Sequence, residues 1–150
     1  MHATEAREAH EAGVAYAVPR IFLDTNVLIY ALDRDPGRGD RAEALLAQRP
    51  FISVQALNEV VNVLRRRRLL PWDAVADVAT QMASLCEVVH QTLQTHRQAL
   101  ALMSRHSLSW WDALMLAAAL GTSAETFFSE DLQDGLLIQG RLRIVNPFAA

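Results

Sequence analysis

Short apolar runs alternate with longer amphipathic or turn-rich stretches along this chain. The first clear run begins at Ile21 and ends at Asp24, and a second, residues 27–32, follows at once. An unbroken apolar run suits a strand buried on both faces, as in a parallel sheet. Asn26 can cap the helix that follows, because its side-chain oxygen can accept from a free backbone N–H. The pattern therefore places Asp24 at the carboxyl end of a first strand, where open α/β sheets bind ligands.

The same alternation continues to the end of the chain. Further strands are predicted at residues 51–52, 85–89, 127–128 and 142–145. Helices are predicted from Asn26 and over residues 41–48, 53–68, 71–83, 93–106 and 109–120, with a loop over residues 33–40. Strands that alternate with helices imply βαβ units, so the fold class is α/β with a mostly parallel sheet. Residues 1–20 are treated as a peripheral extension and residues 21–150 as one domain.

Composition narrows the choice of protein class. The 150 residues are 51% hydrophobic and carry a net charge of −3, which by itself argues against a nucleic-acid partner. The single cysteine, Cys86, excludes an internal disulfide and suits a reducing compartment. No apolar run is long enough to span a bilayer and the N-terminus lacks a signal-peptide pattern, so no membrane association and a cytoplasmic location are predicted.

Glu59 is a second candidate acid, within the helix predicted over residues 53–68. The predicted apolar face of that helix comprises Val54, Leu57, Val60, Val61 and Leu64. Glu59 lies off this face, with Gln55 and Asn62 on its own side. A polar strip of this kind can line a cleft, although spacing alone favours an ordinary solvated helix face.

Two further acidic positions follow later in the chain. Asp112 lies in the first turn of an apolar helix, three residues after Ser109, and this spacing is explained as well by helix capping as by catalysis. Ser129, Glu130 and Asp131 directly follow a predicted strand, as Asp24 does. Of the two acids there, Asp131 is predicted to point inward.

Carboxylates gathered at strand ends need a cation to offset their charge. Their hard oxygen atoms select Mg²⁺ or Mn²⁺ rather than zinc. Such an ion can activate water and stabilise the charge on a phosphodiester. The five histidines show no metal-ligand spacing, and Cys86 is predicted to be core filler rather than a nucleophile.

Four segments of the chain, in this order, resemble the motifs of PIN domains. They are residues 22–26 (FLDTN), 58–59 (NE), 108–114 (LSWWDAL) and 129–132 (SEDL). Each segment alone is a weak signal, whereas all four in order are fairly specific. The likeness runs from about residue 21 to residue 148 and is greatest to the VapC-type ribonuclease toxins of bacterial toxin–antitoxin pairs.

The resemblance implies a three-layer α/β/α fold and an endoribonuclease that uses Mg²⁺ or Mn²⁺. It implies a homodimer silenced by a small antitoxin protein. Asp24, Glu59, Asp112 and Asp131 carry over as the acidic site, with Asn26 and Ser129 as polar support. Asp24, Asp112 and Asp131 are expected to ligate the metal, and Glu59 to hold a second metal or orient water. Glu130 departs from the uncharged polar residue common before the fourth acid, which leaves the choice between Glu130 and Asp131 open at this stage.

The chain also carries four consecutive arginines, residues 65–68, at the end of the Glu59 helix. Arg66 and Arg67 are candidate phosphate contacts for RNA, while the alternative is a solvated helix end that the helix dipole favours.

Two alternative functions stay open at this stage. A haloacid-dehalogenase-type phosphatase also places an acid at the end of its first strand, but it needs a second acid two residues on, where this chain has Asn26. The other alternative is a catalytically silent PIN-like module that only binds RNA or protein, which is typically marked by missing acids.

Overall fold

The computed structural model describes residues 20–33 and 35–149. The predicted peripheral extension, residues 1–20, lies outside the described residues except for its last member. The described strands are β1 (Ile21–Leu23), β2 (Phe51–Ser53), β3 (Glu87–Val89), β4 (Thr126–Phe128), β5 (Leu137–Ile138) and β6 (Leu142–Val145). The described helices are α1 (Thr25–Asp33), α2 (Arg38–Leu46), α3 (Val54–Arg66), α4 (Trp72–Leu85), α5 (Leu93–Arg105) and α6 (Trp110–Leu120).

All the described strands join one sheet in the order β3-β2-β1-β4-β6-β5. Each neighbouring pair is parallel except β5 and β6, which are antiparallel. The chain moves outward from β1 to β2 and β3, then crosses back to β4 on the other side of β1. This reversal makes the gap between the carboxyl ends of β1 and β4 the switch point of the sheet, where α/β folds bind ligands. The predicted mostly parallel α/β fold is confirmed.

The helices form two packed groups around this sheet. Helices α1 to α4 pack in succession, with α1 against α2 and α3, and α3 against α4. Helices α5 and α6 pack against each other and carry the chain from β3 back to β4. Every residue of β1 is buried, and Phe22 of β1 stacks on Phe127 of β4 with ring centroids 5.4 Å apart. No helix in the described part of the chain is both long and apolar enough to cross a bilayer.

Several boundaries differ from the prediction. Helix α1 already begins at Thr25, so Asn26 lies inside its first turn and is not the cap. Pro71 precedes α4 rather than occupying its first turn, and α4 continues to Leu85, which was predicted to be in a strand. These errors arise at element ends, where local propensity and tertiary packing compete.

Strand β5 was missed because two residues are too short to show any periodicity. It pairs with β6 through a tight turn in which Gln139 has φ 51° and Gly140 has φ 64°. Two consecutive positive φ values are the signature of the type I′ hairpin turn, which matches the natural twist of paired strands.

The buried side of α3 also differs from the predicted apolar face. Its buried residues are Gln55, Ala56, Val60 and Leu64, while Leu57 and Val61 are only partly buried. Ser53 caps the helix by accepting from the Ala56 N–H. Because Gln55 is buried, the polar strip that contains Gln55 and Glu59 faces the sheet rather than solvent.

Candidate functional site

Asp24 lies at the switch point because β1 and β4 end together. Leu23 pairs with Phe128 in register, and the Asp24 backbone N–H donates to the Phe128 carbonyl at 3.0 Å. Asp24 and Ser129 are therefore the first residues beyond the two strand ends and sit side by side. Asp24 is only 9% exposed and Ser129 is fully buried.

The Asp24 carboxylate accepts hydrogen bonds at both oxygens. Oδ1 accepts from the Thr25 backbone N–H at 2.8 Å. Oδ2 accepts from the Ser129 hydroxyl at 2.8 Å and from the Asn26 amide at 3.3 Å. These donors hold the carboxylate in one orientation at the bottom of the site, and the support predicted for Asn26 and Ser129 has a geometric basis.

Burial dominates the electrostatics of Asp24. It raises the pKa of this carboxyl from 3.8 to about 6, against the opposing effect of the hydrogen bonds from Ser129 and Thr25. The negative charges of Asp112 and Glu59 raise the pKa further, so three of the predicted acids are close enough to interact. A carboxylate that is both desolvated and repelled by its neighbours is a natural place for a cation.

Asp131 faces the same cluster, whereas Glu130 turns away from it. The Asn26 amide donates to Asp131 Oδ2 at 3.0 Å, and the Ser129 hydroxyl accepts from the Asp131 N–H at 3.1 Å. The Glu130 carboxylate instead pairs with Arg38 at 3.1 Å. Hydrogen bonding to Glu130 also raises the pKa of Tyr30. The geometry thus favours Asp131 as the inward acid, in line with the sequence-based expectation.

Glu59 joins the site through α3. Its Oε2 accepts a hydrogen bond from the Thr25 hydroxyl, and its Oε1 accepts from Gln55 Nε2 at 3.1 Å. Thr25 therefore bridges Asp24 and Glu59: its backbone N–H binds the first and its hydroxyl binds the second. The alternative of an ordinary solvated helix face does not describe this partly buried, doubly hydrogen-bonded carboxylate.

Asp112 combines a helix cap with a place at the cleft. Its backbone N–H donates to the Ser109 hydroxyl at 3.1 Å, so the predicted N-cap is present. Its carboxylate lines a cleft of about 420 Å³ together with Asp131. The two roles coexist because the cap uses the backbone N–H of Asp112 and leaves its carboxylate for the cleft.

The donor chemistry of this cluster fits a hard divalent cation. Its candidate ligands are carboxylate, hydroxyl and amide oxygens, which suit Mg²⁺ or Mn²⁺. Within the described residues, no three Asp, Glu, His or Cys side chains are close enough to hold an ion by themselves. Mg²⁺ in proteins commonly binds one or two carboxylates and completes its coordination shell with water. The arrangement of acids seen here therefore suits Mg²⁺ without enclosing it in protein ligands.

The four arginines after Glu59 have different surroundings. Arg65 donates to the Leu70 carbonyl at 2.8 Å and lies over the Trp72 ring, 4.4 Å from its centroid. Arg68 pairs with Asp33. Arg66 is exposed and lines a groove of about 470 Å³ with Arg65 and Trp72. Arg67 is exposed but does not line that groove, so the structure separates the two predicted RNA contacts.

Two polar residues at the site, Thr25 and Gln91, had no role predicted from the sequence. Gln91 follows β3 and donates to Gln55 Oε1 at 2.7 Å, which supports the side chain that holds Glu59. Gln91 is the second residue after β3, so the strand-end rule that singled out Asp24 and Ser129 does not reach it. Cys86 plays no part, since burial raises the pKa of its thiol to about 11 and keeps it unreactive.

Comparison with known proteins gives the following relationships. The sequence model of the PIN domain matches residues 21–133. The structure is similar to a toxin–antitoxin complex from Klebsiella pneumoniae, with a TM-score of 0.67 and 20% identity over 87% of this chain and 99% of that one. It is similar to DNA-bound VapBC from Salmonella typhimurium, with a TM-score of 0.64 and 18% identity over 85% and 98% of the two chains.

A third similar structure is VapC20 of Mycobacterium tuberculosis, a toxin that cleaves the sarcin–ricin loop. Its TM-score is 0.59, with 27% identity over 74% of this chain and 91% of that one. The comparison with curated protein sequences found no match. The likenesses below 25% identity show a shared fold.

Proposed function

Because the chain belongs to the PIN domain family, we propose that it is a divalent-cation-dependent endoribonuclease and the toxin of a toxin–antitoxin pair. The observation that carries the proposal is the Asp24 carboxylate at the switch point, which burial and, to a smaller extent, the charges of Asp112 and Glu59 raise to a pKa of about 6. Such an electrostatically strained acid cluster is typical of a catalytic site. VapC20, a toxin that cleaves the sarcin–ricin loop, is similar over 74% of this chain.

In this proposal Asp24, Asp112 and Asp131 would hold the cation together, in part through bound water, because the described acids are not close enough to form a set of three direct ligands. When bound, the ion would supply positive charge that stabilises the phosphate in the transition state. Asn26 and Ser129 keep Asp24 and Asp131 in place, because each of the two contacts both acids. An amide at position 26 cannot act as a general acid, and with the family match this removes the phosphatase alternative.

Glu59 is proposed as the residue that orients the attacking water and accepts its proton. Hydrogen bonds from Thr25 and Gln55 hold the carboxylate in one orientation. The oxygen of water forms a bond to phosphorus as the bond from phosphorus to the 3′ oxygen breaks. The leaving 3′ oxygen takes a proton from solvent, so the products are one RNA fragment that ends in a 3′-hydroxyl and one that begins with a 5′-phosphate, and no covalent enzyme intermediate is needed.

The proposed partners are an RNA substrate, a small antitoxin protein and a second copy of this chain. Support comes from the similar toxin–antitoxin complex of Klebsiella pneumoniae and from the VapBC complex of Salmonella typhimurium. A cytoplasmic location is proposed with the same function, because an RNA-cleaving toxin must reach cellular RNA.

The decisive experiment measures cleavage of structured RNAs, including a sarcin–ricin loop hairpin, by purified protein free of antitoxin. We expect cleavage with Mg²⁺ or Mn²⁺ and none in EDTA. Asp24→Asn should lower the rate about 100-fold or more, because it removes a charged oxygen at nearly constant volume.

The matched control is a substitution in the acid pair after β4. Asp131→Asn should lower cleavage strongly, whereas Glu130→Gln should leave it within about twofold, because Glu130 faces Arg38 outside the cluster. Unchanged cleavage by Asp24→Asn would refute the proposed site. RNA binding without metal-dependent cleavage would instead support a catalytically silent PIN module.

A further inference from the structure

Trp111 is a large exposed side chain beside the acid cluster. It lies in the first turn of α6, directly before Asp112, and is 63% exposed. Its neighbour Trp110 is partly buried and packs its ring edge-on against His96, with centroids 5.0 Å apart. Successive helical residues point in directions about 100° apart, so the fold uses Trp110 for packing and leaves the Trp111 indole free.

Trp111 forms one wall of a cleft of about 370 Å³ that runs along α3. The remaining lining residues are Gln55, Asn58, Glu59, Asn62 and Gln91. Gln55 Nε2 donates both to the Trp111 carbonyl at 3.2 Å and to Glu59 Oε1 at 3.1 Å. These bonds fix the start of α6 against α3, so the indole is held at a defined position relative to Glu59.

The chemistry of this cleft suits an uncharged, flat and polar-edged group. Among the described residues that line it, Glu59 is the one ionisable side chain, and it would repel a phosphate placed directly beside it. Two of the lining amides, Gln55 and Gln91, bond each other, whereas Asn58 and Asn62 can donate to and accept from the edge of a nucleobase. An exposed indole offers a stacking face that every base can use.

We propose that Trp111 stacks on a nucleobase of the RNA substrate next to the bond that is cut. This inference rests on the proposed ribonuclease function and assigns a substrate-positioning residue to it. Asn58 and Asn62 provide hydrogen-bonding groups at the edge of the stacked base.

The adjoining groove explains how the sugar–phosphate backbone can continue from this cleft. Asn58 and Asn62 line both hollows, and the second hollow adds Arg65 and Arg66. When a base lies in the cleft beside Glu59, the RNA backbone attached to it therefore passes these arginines, whose guanidinium groups bind phosphates well. Along α3, the cleft that would hold the base therefore adjoins the groove whose arginines would bind the phosphate.

The test measures binding of single-stranded RNA in EDTA, so that no cleavage occurs. Fluorescently labelled RNAs of about 12 nucleotides would carry one abasic nucleotide moved stepwise along the chain. Wild-type protein should lose about tenfold in affinity when the abasic position meets Trp111. Trp111→Ala should lose about tenfold for intact RNA and show no further loss at that abasic position, while Trp111→Phe should keep most of the affinity.

Leu137→Ala is the matched control. Leu137 is also a large exposed apolar side chain, but it lies on the edge strand β5 and lines neither hollow along α3, so this variant should keep the affinity and the abasic penalty of the wild type. Thermal unfolding checks that each variant is folded. Three results would overturn the inference: no wild-type binding or abasic penalty, wild-type affinity in Trp111→Ala, or a weakened Trp111→Ala that keeps the full abasic penalty.

A Trp111→Ala protein that binds more weakly but keeps the full abasic penalty would mean that Trp111 contacts a protein partner or stabilises the fold rather than stacking on a base. This binding assay and the cleavage assay fail independently. Metal-dependent cleavage with no effect of Trp111→Ala would refute only the stacking role. An RNA-binding protein that never cleaves would refute only the proposed ribonuclease.

Discussion

At the scale of single residues, Asp24 shows how function opposes stability. A carboxylate that is 9% exposed and close to two other acids is costly to keep charged, as its pKa of about 6 indicates. Hydrogen bonds from Ser129 and Thr25 offset only part of that cost. The acid is therefore placed for its chemistry rather than for the stability of the metal-free fold.

This cost predicts how stability depends on pH. Because burial raises the pKa of Asp24 from its ordinary value of 3.8 to about 6 in the folded protein, the folded protein binds the proton more tightly than the unfolded chain does. The contribution of this group to the free energy of unfolding therefore falls as pH rises from about 4 to about 6. Asp24→Asn should stabilise the metal-free protein by about 1 kcal/mol near pH 7, with a gain that shrinks toward pH 4.

Chemical denaturation in EDTA at several pH values measures this gain. Asp112→Asn is the comparison, and it should stabilise less, because the Asp112 charge also favours the N-terminus of α6. A lower stability of Asp24→Asn than of the wild type near neutral pH would mean that the carboxylate is not strained.

At the scale of elements, α3 carries three kinds of surface along its length. Its buried face packs Ala56, Val60 and Leu64 into the core, and Glu59 reaches the acid cluster. Its last turn bears arginines, which the helix dipole favours at this end. Some of these arginines line the groove that continues from the Glu59 cleft and others do not. Substituting two neighbouring arginines, one of each kind, therefore tests whether the groove binds RNA.

We expect Arg66 to contact RNA phosphate and Arg67 to contact it little. Arg66→Gln should weaken binding about equally across RNA sequences and reduce the slope of log affinity against log salt by about 0.7. Arg67→Gln should leave that slope nearly unchanged, because Arg67 does not line the groove. Equal slopes for both variants and the wild type would mean that the arginines only form a solvated helix end.

At the scale of the whole molecule, the cation should act as a ligand of the folded state. The candidate ligands come from the residue after β1, from α6 and from the segment after β4, and they meet only when the sheet is assembled. An ion that binds this arrangement and not the unfolded chain must stabilise the fold.

Millimolar Mg²⁺ or Mn²⁺ should accordingly raise the melting temperature of the wild type by about 2–6 °C. Asp24→Asn should respond much less, whereas Glu130→Gln should respond as the wild type does, because Glu130 pairs with Arg38. Differential scanning fluorimetry over a metal titration gives these shifts. Equal shifts in all the proteins would place the ion somewhere other than at Asp24.

The family likeness and most of the elements were predictable from local order along the chain. Apolar runs that end in acids gave β1 and β4, helical periodicity gave α3 to α6, and the four motifs pointed to the PIN domain, which the match over residues 21–133 confirms. These features depend on residues close together in sequence, and their signal is present before the chain folds. The same locality explains the failures at Asn26, Leu85 and β5, where end effects or a distant partner strand decided the outcome.

Which polar groups meet depended on tertiary structure alone. The sequence favoured Asp131 over Glu130, but only the pairing of β1 with β4 brings Asn26 and Ser129 against it. Thr25 and Gln91 joined the site for the same reason, since their partners lie on other elements. The raised pKa of Asp24 requires burial by the whole domain, because desolvation is set by everything that excludes water from the carboxylate.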